Sequence, residues 1–304
     1  MTCSRLRALD LFCRAGGVSE GLLRAGFEVV GVDILDCSKA YNRGPGNSDR
    51  HERPATFIQA NAMEFPLEGF DFIWASPPCQ AHTILRRINP HKEHPDLIPA
   101  TRERLAASGV PYVIENVPGA PLGGQVLMLC GSMFGLQTQD GRAELRRHRL
   151  FETSWPIALR PACQHGYAGE SLTVTGTGMG PGNRGKEAEQ AERREQRVIC
   201  VAGGKAMSGG MMTSQGELKR LAVLTIAGDH PSAKIAGKFL SNGSNLRERF
   251  STDAARHAMG IDWMAMKDLS QAIPPVYAEF LGGMFLGEHP VRLLVSGGCQ
   301  VSLF

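Results

Sequence analysis

Short apolar runs alternate with amphipathic stretches through the first half of the chain, and that alternation sets the expected elements. Residues 7–12 (RALDLF) read as a buried strand. Gly16 and Gly17 open a helical pattern, VSEGLLRAG, which Gly26 closes. The runs at 28–33 (EVVGVD), 56–58 (TFI), 70–75 (FDFIWA) and 111–115 (PYVIE) predict four more strands, and residues 101–108 are helical by composition. Strands interleaved with helices indicate an α/β fold with a doubly wound, mostly parallel sheet. Ligands of such sheets sit at the carboxyl ends of the strands. Asp33, Cys79 and Glu115 each lie at or just past the end of an apolar run, so one edge of the sheet gathers them.

The pattern weakens beyond about residue 155. Residues 159–250 are rich in glycine, hydroxyl and basic side chains, which suggests a smaller loop-rich domain. Between residues 200 and 250, Lys205, Lys219, Arg220, Lys234, Lys238, Arg247 and Arg249 face only Glu217, Asp229 and Glu248 in number. Residues 184–197 (RGKEAEQAERREQR) read as a solvated face or loop. Periodicity returns at 252–260, and Pro274-Pro275 opens a last helix, VYAEFLGGMFLG. That piece is apolar enough to pack back on the first domain. The expected division is 1–158, 159–250 and 251–304.

Composition changes this picture little. At 304 residues with 42% hydrophobic and 21% charged, the chain is long and apolar enough for a sizeable core. The charge of +3 is too mild to argue a nucleic-acid partner by itself. No apolar run is long enough for a membrane span, and the N-terminal segment lacks the pattern of a secretory signal. Eight cysteines are scattered without a CxxC pair, so neither zinc nor disulfides are expected, and a cytoplasmic location follows.

Three segments carry chemistry. Residues 10–17 (DLFCRAGG) form a strand, a glycine turn and a helix start, where backbone N–H groups face a ligand. With Asp33 able to accept ribose hydroxyls, this reads as a site for an adenosine-containing cofactor, a dinucleotide or S-adenosylmethionine. In Ser76-Pro77-Pro78-Cys79-Gln80 the prolines stiffen the loop and aim the thiol. Glu115-Asn116-Val117-Pro118 follows the next strand and can bring a carboxyl to the same pocket.

Together these motifs resemble the cytosine-5 methyltransferases that use S-adenosylmethionine. DLFCRAGG is similar to the family's first cofactor motif, SPPCQ to its nucleophile loop, and ENV to its base-binding motif. Residues 145–149 (LRRHR) resemble its arginine motif, 250–263 its late helix motif, and 271–282 its final motif, which returns to the cofactor. The phrasing of ENVPGAPL and AIPP is similar to small phage- or prophage-type members.

The resemblance implies methyl transfer from S-adenosylmethionine to C5 of a flipped cytosine in double-stranded DNA, by a monomer without a metal. Cys79 would be the nucleophile, Glu115 the group at cytosine N3, Arg149 the ligand of the base O2, and Arg147 its support. Asp10, Phe12, Arg14, Ala15, Gly16, Gly17, Asp33, Ile34, Asn61, Ala62, Pro77, Gln271 and Ala272 would face the cofactor. Gln80, Arg86, Arg87 and Asn116 would meet nucleic acid. Residues 81–97 resemble the loop that closes over flipped DNA, and 159–250 would be the target recognition domain. Arg14 stands where the family has a glycine, Leu145 replaces a glutamine, Ser270-Gln271 replaces Gly-Asn, and Asn61 replaces an acid. These departures leave a carboxylated sulfonium donor open. A tRNA cytosine methyltransferase, a non-catalytic nucleic-acid-binding protein and a nicotinamide dehydrogenase are the competing readings.

Overall fold

Strand β1 (Arg7–Leu11) lies at the middle of a seven-stranded sheet and pairs in parallel with β2 (Glu28–Asp33) on one side and β4 (Phe72–Ala75) on the other. The computed structural model describes residues 5–52, 54–82, 94–141, 143–157 and 251–287 in full, and strands at 170–174, 223–226, 293–294 and 300–301 by their backbone. Beyond β2 lies β3 (Thr56–Gln59), and beyond β4 lies β5 (Tyr112–Asn116), both parallel to their neighbours. Two further strands, β6 (Gln125–Leu129) and β8 (Arg149–Thr153), complete the order β3-β2-β1-β4-β5-β8-β6. Strand β8 runs antiparallel to both its neighbours. The expected α/β class and mostly parallel sheet are therefore what the chain adopts. The order turns back between β1 and β4, which opens a crevice at their carboxyl ends.

Alternation along each strand builds two layers. Ala8, Phe72 and Trp74 join the core with helices α1 (Gly17–Arg24) and α6 (Pro275–Leu286), while Leu9, Leu11, Ile73 and Ala75 join the opposite core with Leu105 of α3 (Ile98–Ser108). Helices α1 and α6 approach closely because Gly21 packs on the backbone carbonyl of Pro275, where a Cβ has no room. A third cluster joins Ala15 to Ala255, Met259, Trp263, Leu269 and Ala272, from the segment holding α4 (Thr252–Met259) and α5 (Met266–Leu269). A four-residue helix, α2 (Ser38–Tyr41), follows β2.

The element margins differ from expectation where capping decides. Helix α3 starts at Ile98, not 101, because Asp96 Oδ1 accepts the Ile98 N–H at 3.0 Å and a proline is tolerated in the first turn. Strands β6 and β8 and the short β7 (Ala143–Leu145) had no alternating pattern long enough to mark them. Strand β7 pairs with β9 (Glu170–Val174), which pairs with β10 (Val223–Ile226) in a small parallel sheet. Strands β11 (Leu293–Leu294) and β12 (Gln300–Val301) form a separate pair. Apart from β9 and β10, residues 159–250 lie outside the described residues, as do the mixed-charge run and positions 83–93.

Candidate active site

The turn that carries Cys79 is fixed from three sides. Ser76 N–H donates to Leu11 O at 3.1 Å, which continues the β1–β4 pairing one step past β4. Pro77 and Pro78 then carry the chain into a single 3₁₀ turn over Cys79–Ala81, closed by His82 N–H on Cys79 O at 2.9 Å. Asn116, at the end of β5, donates its amide to Pro77 O at 3.0 Å. Asn116 is buried and also accepts the Val117 N–H, so its amide braces the turn instead of presenting a polar edge to nucleic acid. The half-buried His82 ring comes within 2.9 Å of Asp96 Oδ1.

Antiparallel pairing brings Arg149 to the same place. Asn116 is opposite Leu150 in the β5–β8 register, so the first residue of β8 falls just beyond the carboxyl end of β5. Arg149 Nε lies 3.2 Å from Glu115 Oε1. Burial pushes the Glu115 carboxyl above its usual range, against the opposing pull of Arg149, Ser76 and Arg147. Burial also raises the Cys79 thiol; Arg149 lowers it, Glu115 raises it further, and Arg147 lowers it weakly. The three groups thus share one electrostatic environment. Arg147 is fully buried, donates to Ser270 O at 3.0 Å, and has its own carbonyl held by the Tyr277 hydroxyl at 2.7 Å. It ties the entry of β8 to the C-terminal segment.

The crevice at the carboxyl ends of β1 and β2 is built around a strained turn. Phe12 and Arg14 adopt left-handed φ values of 63° and 49°. Each costs a residue with a Cβ about 1–2 kcal/mol. Gly16, at φ 83°, has Pro45 and Tyr41 against the place a Cβ would take. Asp33 Oδ2 accepts the Arg14 N–H at 3.0 Å and its Oδ1 accepts the Leu35 N–H at 2.9 Å. Each oxygen keeps a further lone pair for a hydroxyl. Ile34, beside it, is 64% exposed, an apolar surface open to a flat base. Gly17 faces the Ile273 carbonyl and the Ala272 methyl, so the final motif does return to the turn. Gln271 is exposed one residue earlier.

Two expected cofactor contacts sit differently. Asp10 is completely buried beneath the turn, where Oδ2 accepts from Ser19 Oγ at 2.6 Å. Burial lifts its carboxyl from 3.8 to about 7, against the Ser19 bond, with Asp33 and Glu115 adding to the rise. Asp10 therefore supports the turn from below and does not line the crevice. Asn61 uses its side chain locally, accepting the Met63 N–H and donating to Glu64 Oε1, while Ala62 is buried with its carbonyl bonded by Arg104. Gln80 is exposed beside Cys79. Arg86 and Arg87 lie outside the described residues. Sequence reasoning gave no role to Ser19 or Trp263, because a polar atom hidden on an apolar face leaves no mark in periodicity. Among the described residues no group of three or more His, Cys, Asp or Glu could hold a metal, and no helix is long and apolar enough to cross a membrane.

Residues 6–119 match the family model of C-5 cytosine-specific DNA methylases, so the resemblance read from the motifs holds over the segment with the glycine turn, Cys79 and Glu115. A 23S rRNA (uracil(747)-C(5))-methyltransferase of Pyrococcus horikoshii is 33% identical over 76 residues, 25% of this chain and 18% of that protein. The chain thus spans under a fifth of the length of that curated relative. A protein assigned as a DNA modification methyltransferase, encoded within an E. coli prophage, has 14% identity and a TM-score of 0.48, covering 93% of this chain and 100% of its own. A methyltransferase of Entamoeba histolytica has 12% identity and a TM-score of 0.46, covering 93% and 98%.

Proposed function

We propose that this chain transfers a methyl group from S-adenosylmethionine to C5 of cytosine in double-stranded DNA. The observation that carries the reading is the meeting of Cys79, Glu115 and Arg149 at the carboxyl ends of β4 and β5, beside the strained turn. A target base inside a duplex cannot reach this pocket, so the nucleotide flips out. Segment 159–250 reads the sequence, and Gln80, Arg86 and Arg87 contact the strand near the flipped base.

The chemistry follows from the residues. Cytosine C5 is a weak nucleophile, and addition of the Cys79 thiolate to C6 converts the ring to an enamine that attacks from C5. Glu115, with its carboxyl raised by burial, can hold a proton at N3 as charge develops there. Arg149 donates to O2 and stabilises the same charge. Loss of the C5 proton and expulsion of Cys79 then restore the aromatic ring. The turn at 12–17, Asp33 and Ile34 fit S-adenosylmethionine, which supplies the electrophilic methyl group when bound. No metal takes part in this scheme.

DNA with 5-fluorocytosine at the target tests the reading, because fluorine blocks the last elimination and traps the adduct. The wild type should give a covalent, denaturant-stable complex in the presence of cofactor, and Cys79→Ala should give none. An adduct that survives in Cys79→Ala moves the nucleophile elsewhere. The stretch similar to an rRNA uracil methyltransferase favours RNA as the second substrate to try. Methyl transfer to tRNA and not to DNA would replace the DNA reading.

A further inference from the structure

The turn at 12–17 holds two left-handed residues with side chains, Phe12 and Arg14, in succession around Cys13. Something must keep it in that shape. Most of its backbone is tied locally: Cys13 N–H to Val32 O at 3.1 Å, Arg14 N–H to Asp33, and Gly16 N–H to Cys13 O at 2.9 Å. The Ala15 carbonyl is tied differently. It accepts the indole N–H of Trp263 at 2.9 Å, across 248 residues of chain, in a buried contact.

Trp263 is itself clamped. Its ring lies on Gly44, where a Cβ would collide with the indole. Arg50 also flanks it, with its guanidinium 5.2 Å from the ring centroid and gripping both carboxylate oxygens of Asp262 at 2.9 and 3.0 Å. The segment 42–52, the turn at 12–17 and the segment 261–264 thus meet at one indole.

We propose that Trp263 is a positioning residue for the cofactor turn: its N–H holds the Ala15 carbonyl and keeps the strained turn in the shape that receives the cofactor. This rests on the S-adenosylmethionine reading above. The indole touches the turn and not the reacting atoms, so it acts on affinity for the cofactor and not on the Cys79 step.

Trp263→Phe keeps an aromatic ring and deletes the donor. Binding of S-adenosylhomocysteine by calorimetry should weaken about tenfold, the order expected when a buried carbonyl loses its partner. The saturated single-turnover rate should stay within about twofold. A general loss of folding would not give that split. The strain argument adds a sharper test. Glycine adopts a left-handed φ without penalty, so in an Arg14→Gly background the same Trp263→Phe change should cost less than about threefold. Equal costs in the two backgrounds overturn the proposal. If Trp263→Phe fails to fold, Arg50→Ala loosens the clamp alone and should weaken binding about threefold; no change overturns the proposal. Amide hydrogen exchange separates this inference from the reading it rests on. In the free protein Trp263→Phe should speed exchange at residues 13–17 at least tenfold over α3, whatever the cofactor proves to be. Unchanged exchange there overturns the proposal, whereas faster exchange in Trp263→Phe together with a wild type that binds no sulfonium compound sinks only the cofactor reading.

Discussion

Arg149 and Glu115 face each other at 3.2 Å across the antiparallel β5–β8 pair, and both act on the Cys79 thiol from the next strand end. A cation beside a buried carboxyl and a half-buried thiol favours the charged form of both. Burial holds both groups above their usual ranges, and Arg149 opposes it. The free site therefore keeps Cys79 largely as a thiol at neutral pH, and the thiolate fraction grows as pH rises.

Removing that cation should make the nucleophile weaker still. In Arg149→Ala the Cys79 thiol moves further up, so alkylation by iodoacetamide at pH 7.5 should slow several-fold, with the pH midpoint shifted upward. The Glu115 carboxyl rises with it. Faster alkylation in Arg149→Ala would show that access, and not charge, controls Cys79.

Asp10 links stability to pH. Its carboxyl binds a proton more tightly in the folded chain, at about 7 against 3.8. The folded state has that advantage in full below pH 4 and loses it as pH rises through 7. The loss approaches about 4 kcal/mol, from the difference of the two values at ~1.4 kcal/mol per pH unit. Asp10→Asn cannot ionise, so its melting temperature minus that of the wild type should increase from about pH 4 to about pH 7 and level off above that. A flat difference across that window would mean that the Asp10 carboxyl binds its proton equally well in the folded and the unfolded chain.

Arg14→Gly should relieve a left-handed residue. The gain, less the greater freedom of glycine in the unfolded chain, is about 1 kcal/mol, or ~2–4 °C in melting temperature. Backbone N–H groups of the turn remain to meet the cofactor, so affinity for S-adenosylmethionine should change less than about threefold. A tenfold loss at fixed salt would instead show the guanidinium gripping the cofactor.

Segment 159–250 should carry sequence recognition without chemistry. Exchange for the corresponding segment of a relative should change the cytosines found methylated by bisulfite sequencing, while the Cys79 adduct still forms. An active chimera with the original site would place recognition within the sheet domain.

Much of this site was legible before the fold. Strand ends are marked by a change from apolar to polar residues, and parallel strands must finish on one edge, so Asp33, Cys79 and Glu115 could be gathered from pattern alone. The pairing of Arg149 with Glu115 could not, because β8 is a five-residue strand with no clear alternation. Its antiparallel register, with Leu150 opposite Asn116, is what delivers the arginine.

Residue types and local order determined the sheet class, the glycine turn and the proline turn that carries Cys79, since backbone sterics act over a few residues. Tertiary structure decided which polar groups face the crevice and which support it. Asp10 and Asn116 look like ligands in the chain, yet burial turns them inward to Ser19 and Pro77. Trp263 looks like core, yet its N–H crosses 248 residues to Ala15. A hydrogen bond depends on distance and direction in space, and separation along the chain encodes neither.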